Sequence, residues 1–254
     1  MPSNLSRPNS ARVIDYFLGG DHNYAIDRQF AQKLEEAYPG MGEAYRIHRR
    51  FLNRAVTYLI WKENIRHFVR FRSGLPTCGN LHEAALFHAT DARVVYSDPD
   101  PAVVQYGEEI IAGFGLENVR YLQGDPAQPE ILLENPAVSE LFGEDRRIGV
   151  ALLLPYVMEY PALAHSLRVI YDWVAPGSHL ILGFANEETL NFPELVAMLR
   201  AGGPFYPRSV TEMAGLVAPW RLSDHGVCYA ASWPSRRVPE TGPRISSALL
   251  AYKP

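Results

Sequence analysis

Val150-Ala151-Leu152-Leu153-Leu154 is a run of five apolar residues with no polar alternation. A strand with one wet face alternates apolar and polar side chains, whereas a strand covered on both faces does not. This run, extended to Gly149–Leu154, therefore reads as an interior strand of a parallel sheet. Further β-rich runs stand at His67–Phe71, Arg93–Ser97, Val119–Gln123 and His179–Phe184, separated by helical patterns. The clearest of those helices carries Val103, Val104, Gly107, Ile110, Ile111 and Phe114 on one face. Asp100 is placed to cap it, Pro101 suits its first position and Gly115 suits its end. Alternating strands and helices predict a doubly wound α/β sheet. Ligands of such sheets lie outside the carboxyl ends of the strands, where the strand order reverses.

Outside this region the texture changes. Residues 1–66 are polar and Arg-rich with helical spacing, and Phe51, Leu52, Ala55, Val56, Leu59 and Ile60 form one apolar face. Arg46, Arg50 and Arg54 form a second stripe, read as a solvated face. Towards the C-terminus two runs, Val227–Trp233 and Ser247–Tyr252, predict an antiparallel hairpin at the sheet edge, joined through residues 234–244. The domain reading is thus residues 1–66 and 67–254.

The chain has 254 residues and a net charge of −4, so it can bury one sizeable core and gives no global reason to expect nucleic acid. No apolar run is long enough to span a membrane, and the N-terminus lacks the apolar stretch of a secretory signal. Two distant cysteines, Cys78 and Cys228, predict reduced thiols and a cytoplasmic setting. A small-molecule substrate is the expected partner, with a homodimer left open.

The first strand-to-helix turn, Arg70-Phe71-Arg72-Ser73-Gly74-Leu75-Pro76-Thr77-Cys78-Gly79-Asn80, should approach the ligand. It holds Gly74 and Gly79 but no complete dinucleotide-binding glycine motif. Asp98 ends the second strand, where ribose hydroxyls are held, and Asp125 follows the third. Side by side, the two carboxylates would accept hydroxyl and amino donors of an adenosine. His82 and His88 stand six apart on different faces of one helix, so no metal site is expected. Cys78 reads as an inert thiol.

Several segments carry a resemblance. They are Ala11–Gly20 (ARVIDYFLGG), Asn23–Arg28, Arg49–Val56, Ser73–Thr77 with Gly79–Glu83, Arg93–Pro101 and Ala175–Ser178. With them the chain resembles the actinobacterial S-adenosylmethionine (SAM) methyltransferase family once described as a domain of unknown function, DUF574. The resemblance implies a class I methyltransferase fold, Rossmann-like and mostly parallel, in which residues 1–66 form a helical cap over the SAM crevice. It implies SAM as cofactor, held by Gly74, Asp98 and Asp125, and no metal. Tyr16 and Glu159 are the candidates to touch the acceptor, with Glu159 as acid or base.

The chain departs from the family pattern at two places. The family's first strand ends in an acidic residue followed by x-Gly-x-Gly; here Arg70 and Arg72 stand at the acidic and first glycine positions. A guanidinium about 4 Å from a sulfonium nucleotide costs about 4 kcal/mol at an effective dielectric of about 20. Half of that lowers affinity by more than tenfold. Arg70 and Arg72 instead suit a carboxylate or phosphate on the substrate. After the fourth strand, Glu159 stands where a histidine resembles the family pattern. These changes place SAM-independent chemistry, a cyclisation or rearrangement in secondary metabolism, narrowly ahead of ordinary SAM-dependent methylation. A non-catalytic binding or regulatory role comes third.

Overall fold

A computed structural model describes residues 6–153 and 155–254. Leu154 and residues 1–5, which the sequence reading covers, lie outside the described residues. The strands are β1 (His67–Phe71), β2 (Arg93–Asp98), β3 (Val119–Gln123), β4 (Ile148–Leu153), β5 (His179–Ala185), β6 (Arg221–Tyr229) and β7 (Ser246–Tyr252). They form one sheet in the order β3-β2-β1-β4-β5-β7-β6. β1 to β5 are parallel, and β7 runs antiparallel to both β5 and β6. The fold is the class I methyltransferase-like sheet expected. The order reverses between β1 and β4, so the ligand crevice lies above the carboxyl ends of β1, β2 and β4.

Helices cover both faces, which is why the strands lack polar alternation. The helices are α1 (Ser10–Phe17), α2 (Ala25–Ala37), α3 (Met41–Glu63), α4 (Leu81–His88), α5 (Pro101–Gly113), α6 (Pro129–Leu133), α7 (Pro136–Phe142), α8 (Tyr160–Trp173), α9 (Pro193–Ala201) and α10 (Val210–Leu216). On one face Phe68, Tyr96, Ala151 and Ile181 pack against α3, α4 and α5. On the other, Val69, Phe71, Val150 and Leu152 pack against α6, α7, α8 and α10. Each buried Val, Leu, Ile or Phe among these contributes about 1.5–3 kcal/mol.

The α3 face read from the sequence is sealed: Phe51, Leu52, Ala55, Val56 and Leu59 are all fully buried. The arginine stripe beside it divides. Arg46 and Arg50 are exposed and pair with Glu43. Arg54, read as solvated, is half-buried, its Nη2 donating to the Ala230 carbonyl at 2.7 Å and its Nε to that of Trp233 at 3.0 Å.

Those contacts correct the sixth strand. It was expected at Val227–Trp233, but it spans Arg221–Tyr229 and the chain then turns. Arg54 collects the turn's carbonyls, while the Trp233 ring stands edge-on to Phe51 at 5.4 Å. Upstream, Gly226 at φ 62° lies in a break of register between Leu222 and Val227. The polar residues Ser223-Asp224-His225 hid this half of the strand; an edge strand tolerates them.

The N-terminal helices lie across the crevice. Asn9 caps α1 through its Oδ1, accepting from the Ala11 N–H at 2.9 Å, and its Nδ2 donates to Asp100 Oδ2 at 3.0 Å. The buried carboxylate of Asp27 accepts from Asn9 N–H at 2.9 Å, Arg12 Nε at 2.7 Å and Tyr24 N–H at 3.0 Å. Thr77 of the β1–α4 loop donates to Asp15 of α1.

Candidate functional site

Beyond β1, the Ser73 N–H donates to the Ser97 carbonyl at 2.8 Å, so the loop stays in line with β2 for one more residue. The chain then turns sharply, with Arg72 at φ 47° and Gly74 at φ 62°. Glycine adopts this left-handed region freely; Arg72 does so at a cost of about 1 kcal/mol. The turn aims the Gly74 N–H at Asp98 Oδ2, 3.2 Å away, and the Gly74 carbonyl accepts from the Tyr121 hydroxyl at 2.7 Å. Asp98 Oδ1 also accepts from the Asp100 N–H at 3.2 Å. Burial raises the Asp98 carboxyl above its ordinary value, against the pull of these two N–H groups and of Arg72.

Above this turn lies a cavity of about 300 Å³, at the small end of the range for ligand sites. Its floor is Arg72, Gly74 and Asp98 together with Leu153 and Tyr156 at the end of β4. Ala11 and Ile14 of α1, Phe30 and Leu34 of α2, Tyr45 of α3 and Met198 and Leu199 of α9 close it. Among the described residues, its charged lining groups are Arg72 and Asp98.

The structure therefore brings Gly74, Asp98 and Arg72 onto one wall. Arg70 shares the strand face of Phe68, by the two-residue alternation, and is buried without lining the cavity. Its Nε and Nη1 have no protein partner, and burial lowers its guanidinium, with Tyr96, Tyr121 and Asp98 opposing. Asp125 is not part of the cavity lining, its Oδ1 accepting from the Ala127 N–H at 2.9 Å in the turn after β3. Glu159 is exposed at the start of α8 and accepts from the Tyr206 hydroxyl at 3.0 Å. Tyr16 is half-buried among the helices of the N-terminal layer, its ring 6.0 Å from that of Phe17. The Cys78 thiol is raised by burial and by the Asp15 and Glu83 charges, against the pull of Arg49 and Thr77.

Sequence reasoning missed Tyr45, His48 and Tyr156. Tyr156 sits in the short turn Pro155–Val157, directly beyond β4, a position that the strand-end rule marks as strongly as Asp98. It lines the cavity together with Tyr45 of α3. His48, one turn along α3 from Tyr45, is 4% exposed and has no partner at either ring nitrogen. Burial lowers the imidazole to about 4. It fits against β5 because residue 183 is glycine: a Cβ there would stand 2.7 Å from His48 Nδ1.

Among the described residues no group of three or more His, Cys, Asp or Glu is disposed to hold a metal ion, and no helix is long and apolar enough to cross a membrane.

A family model described as S-adenosyl methyltransferase matches residues 3–250. A Thermobifida fusca protein classed with methyltransferases is 28% identical, with a TM-score of 0.88 over 98% of this chain and 96% of its own. A DUF574 family protein from Streptomyces avermitilis is 24% identical, with a TM-score of 0.87 over 98% of both chains. The fold, though not the sequence, also resembles magnesium protoporphyrin IX methyltransferase from Synechocystis with bound S-adenosylhomocysteine. That protein is 13% identical, with a TM-score of 0.56 over 97% of this chain and all of that one. No curated protein matches in sequence.

Proposed function

Because the chain belongs to the S-adenosyl methyltransferase family, we propose that its cleft binds SAM and that the protein methylates a small molecule there. The observation that carries this reading is the wall formed by Gly74, Asp98 and Arg72 along the carboxyl ends of β1 and β2. The Asp98 carboxylate, steadied by two backbone N–H groups, suits the ribose hydroxyls. Arg72 suits the carboxylate of the methionyl part, as a planar pair of donors. Arg70 is buried and does not line the cavity, so it does not meet the ligand directly. Bound SAM supplies an electrophilic methyl group. The protein's own contribution is positioning and the exclusion of water by α1, α2 and α9.

One observation favours a second reading, the SAM-independent chemistry on an anionic small molecule. The Arg72 guanidinium stands at the first glycine position of the family pattern and lines the cavity, where it suits an anionic group. Titration calorimetry separates the two. On the first reading SAM and S-adenosylhomocysteine bind the wild type in the micromolar range. Asp98→Asn, which keeps the shape but lowers the acceptor strength for two hydroxyls, weakens them by at least about tenfold. No binding by the wild type, with binding gained in Arg70→Asp/Arg72→Gly, overturns the first reading in favour of the second.

A further inference from the structure

Two arginines are buried where β1 meets α3 and α4. Arg70 of β1 is 6% exposed and stands in register between Tyr96 of β2 and Ala151 of β4, on the sheet face that α3 and α4 cover. Arg49 of α3 is 8% exposed. Its Nη1 donates to Oδ1 of Asn80, the N-cap of α4, and to the Gly79 carbonyl at 3.4 Å. The Tyr96 hydroxyl reaches the same helix start, accepting from the His82 N–H at 2.7 Å. Both arginines thus stand around the first turn of α4, and burial together with the Arg70 charge lowers Arg49 to about 9.

Neither charge is balanced. Among the described residues, neither arginine forms an ion pair with a carboxylate. The Arg49 partners are neutral, a side-chain amide and a backbone carbonyl, and Arg70 Nε and Nη1 have no partner. Two carboxylates act from further away. Asp98 attracts Arg70 but accepts from the Gly74 and Asp100 N–H groups, while Glu83 is exposed and accepts from Asn80. A lysine or histidine buried in this way would shed its proton, whereas a guanidinium keeps its charge at any ordinary pH. A buried charge without a counter-charge is strongly unfavourable. A water molecule would satisfy the orphaned N–H donors and would leave the charge as it is. Two cations against one buried carboxylate, Asp98, leave an excess of one.

We infer that one small monovalent anion, a chloride or an ion of its size, binds between Arg49 and Arg70 at the start of α4. Arg70 Nε and Nη1 hold it together with the Arg49 guanidinium, and the positive end of α4 favours the same charge. Both orphaned nitrogens are sealed from solvent, which suits a single enclosed ion and disfavours a bulky organic acid. None of Arg49, Arg70, Asn80, His82 and Tyr96 lines the cleft. The anion site is therefore separate from the proposed SAM site, and it stands whether or not the cleft binds SAM.

The test is thermal unfolding of the full-length protein at a fixed ionic strength of about 0.2 M, with gluconate, too bulky to be enclosed, replaced stepwise by chloride. The wild-type melting temperature rises along a saturating curve, by about 3 °C when chloride reaches about ten times its dissociation constant. Arg70→Met, which keeps the side-chain length and removes the charge, loses that rise. Arg50→Met, which removes an exposed cation of the same helix as Arg49, keeps it. Wild-type crystals soaked in bromide show an anomalous peak between Arg49 and Arg70, a readout that needs no variant to fold. The inference is overturned if the wild type melts at the same temperature in chloride and gluconate, or if Arg70→Met keeps the wild-type rise. Loss of the rise in Arg50→Met, or bromide peaks only at other positions, overturns it equally.

Discussion

Arg72 concentrates two opposed effects in one residue. Its left-handed backbone is costly, and its guanidinium is the cation that the cleft presents to a ligand. Glycine at this position would relieve about 1 kcal/mol of strain, but would add about the same in unfolded-chain entropy. Arg72→Gly is therefore expected to leave the urea midpoint nearly unchanged while S-adenosylhomocysteine binds about tenfold more weakly, read by calorimetry. Stronger binding in that variant would mean that Arg72 obstructs the nucleotide. The sequence already marked Arg70, Arg72, Gly74 and Asp98 as strand-end residues. It did not distinguish Arg70 from Arg72, because their difference lies in the turn's dihedral angles and in what packs beneath the loop.

At the scale of elements, one carboxylate joins the first two helices of the layer over the cleft. Asp27 is fully buried and holds Arg12, the Asn9 N–H and the Tyr24 N–H, joining the start of α1 to α2. Burial pushes its carboxyl up, but the Arg12 guanidinium and the two N–H groups outweigh it, and the folded value lies below the ordinary 3.8. Its stabilisation is complete above that value and is lost as pH falls through the lower, folded one. Removing one partner of a buried ion pair typically costs about 3–5 kcal/mol. Asp27→Asn should thus lower stability by about that amount at pH 7, with the gap to wild type narrowing as pH falls below 3.8, measured by urea denaturation at both ends of the range. The helices themselves were partly legible: the 51–60 face follows from three- and four-residue spacing alone. The Asp27 network was not, since nothing local distinguishes a buried carboxylate from a solvated one. Arg54 shows the same limit, a stripe member that turns out to hold the Ala230–Trp233 turn in place.

For the whole molecule, His48 links the N-terminal layer to the sheet, since it lies on α3 and packs against Gly183 of β5. The folded imidazole titrates at about 4 and the unfolded one at the ordinary 6.5. Between these values the unfolded chain takes up a proton that the folded chain refuses. Global stability from this group is therefore full above 6.5 and declines as pH falls towards 4, by about 3 kcal/mol in all. His48→Gln, neutral throughout, should flatten that part of the wild-type curve in urea titrations at pH 7 and pH 4.5. An unchanged slope would show that the imidazole is solvated in the folded protein.

The parallel β1–β5 sheet, its helical connections and the Asp100–Pro101 start of α5 are set by local pattern, because period, capping and two-sided burial act over a few residues. The segments Ser73–Thr77 and Arg93–Pro101 likewise carried the family. Tertiary structure alone decided that β7 enters between β5 and β6, that Asp125 and Glu159 stand apart from the cavity, and that Tyr45, His48 and Tyr156 meet. These outcomes depend on contacts between segments up to about half the chain apart. There, side-chain direction is set by long-range packing and loop dihedrals, which no neighbouring residue encodes.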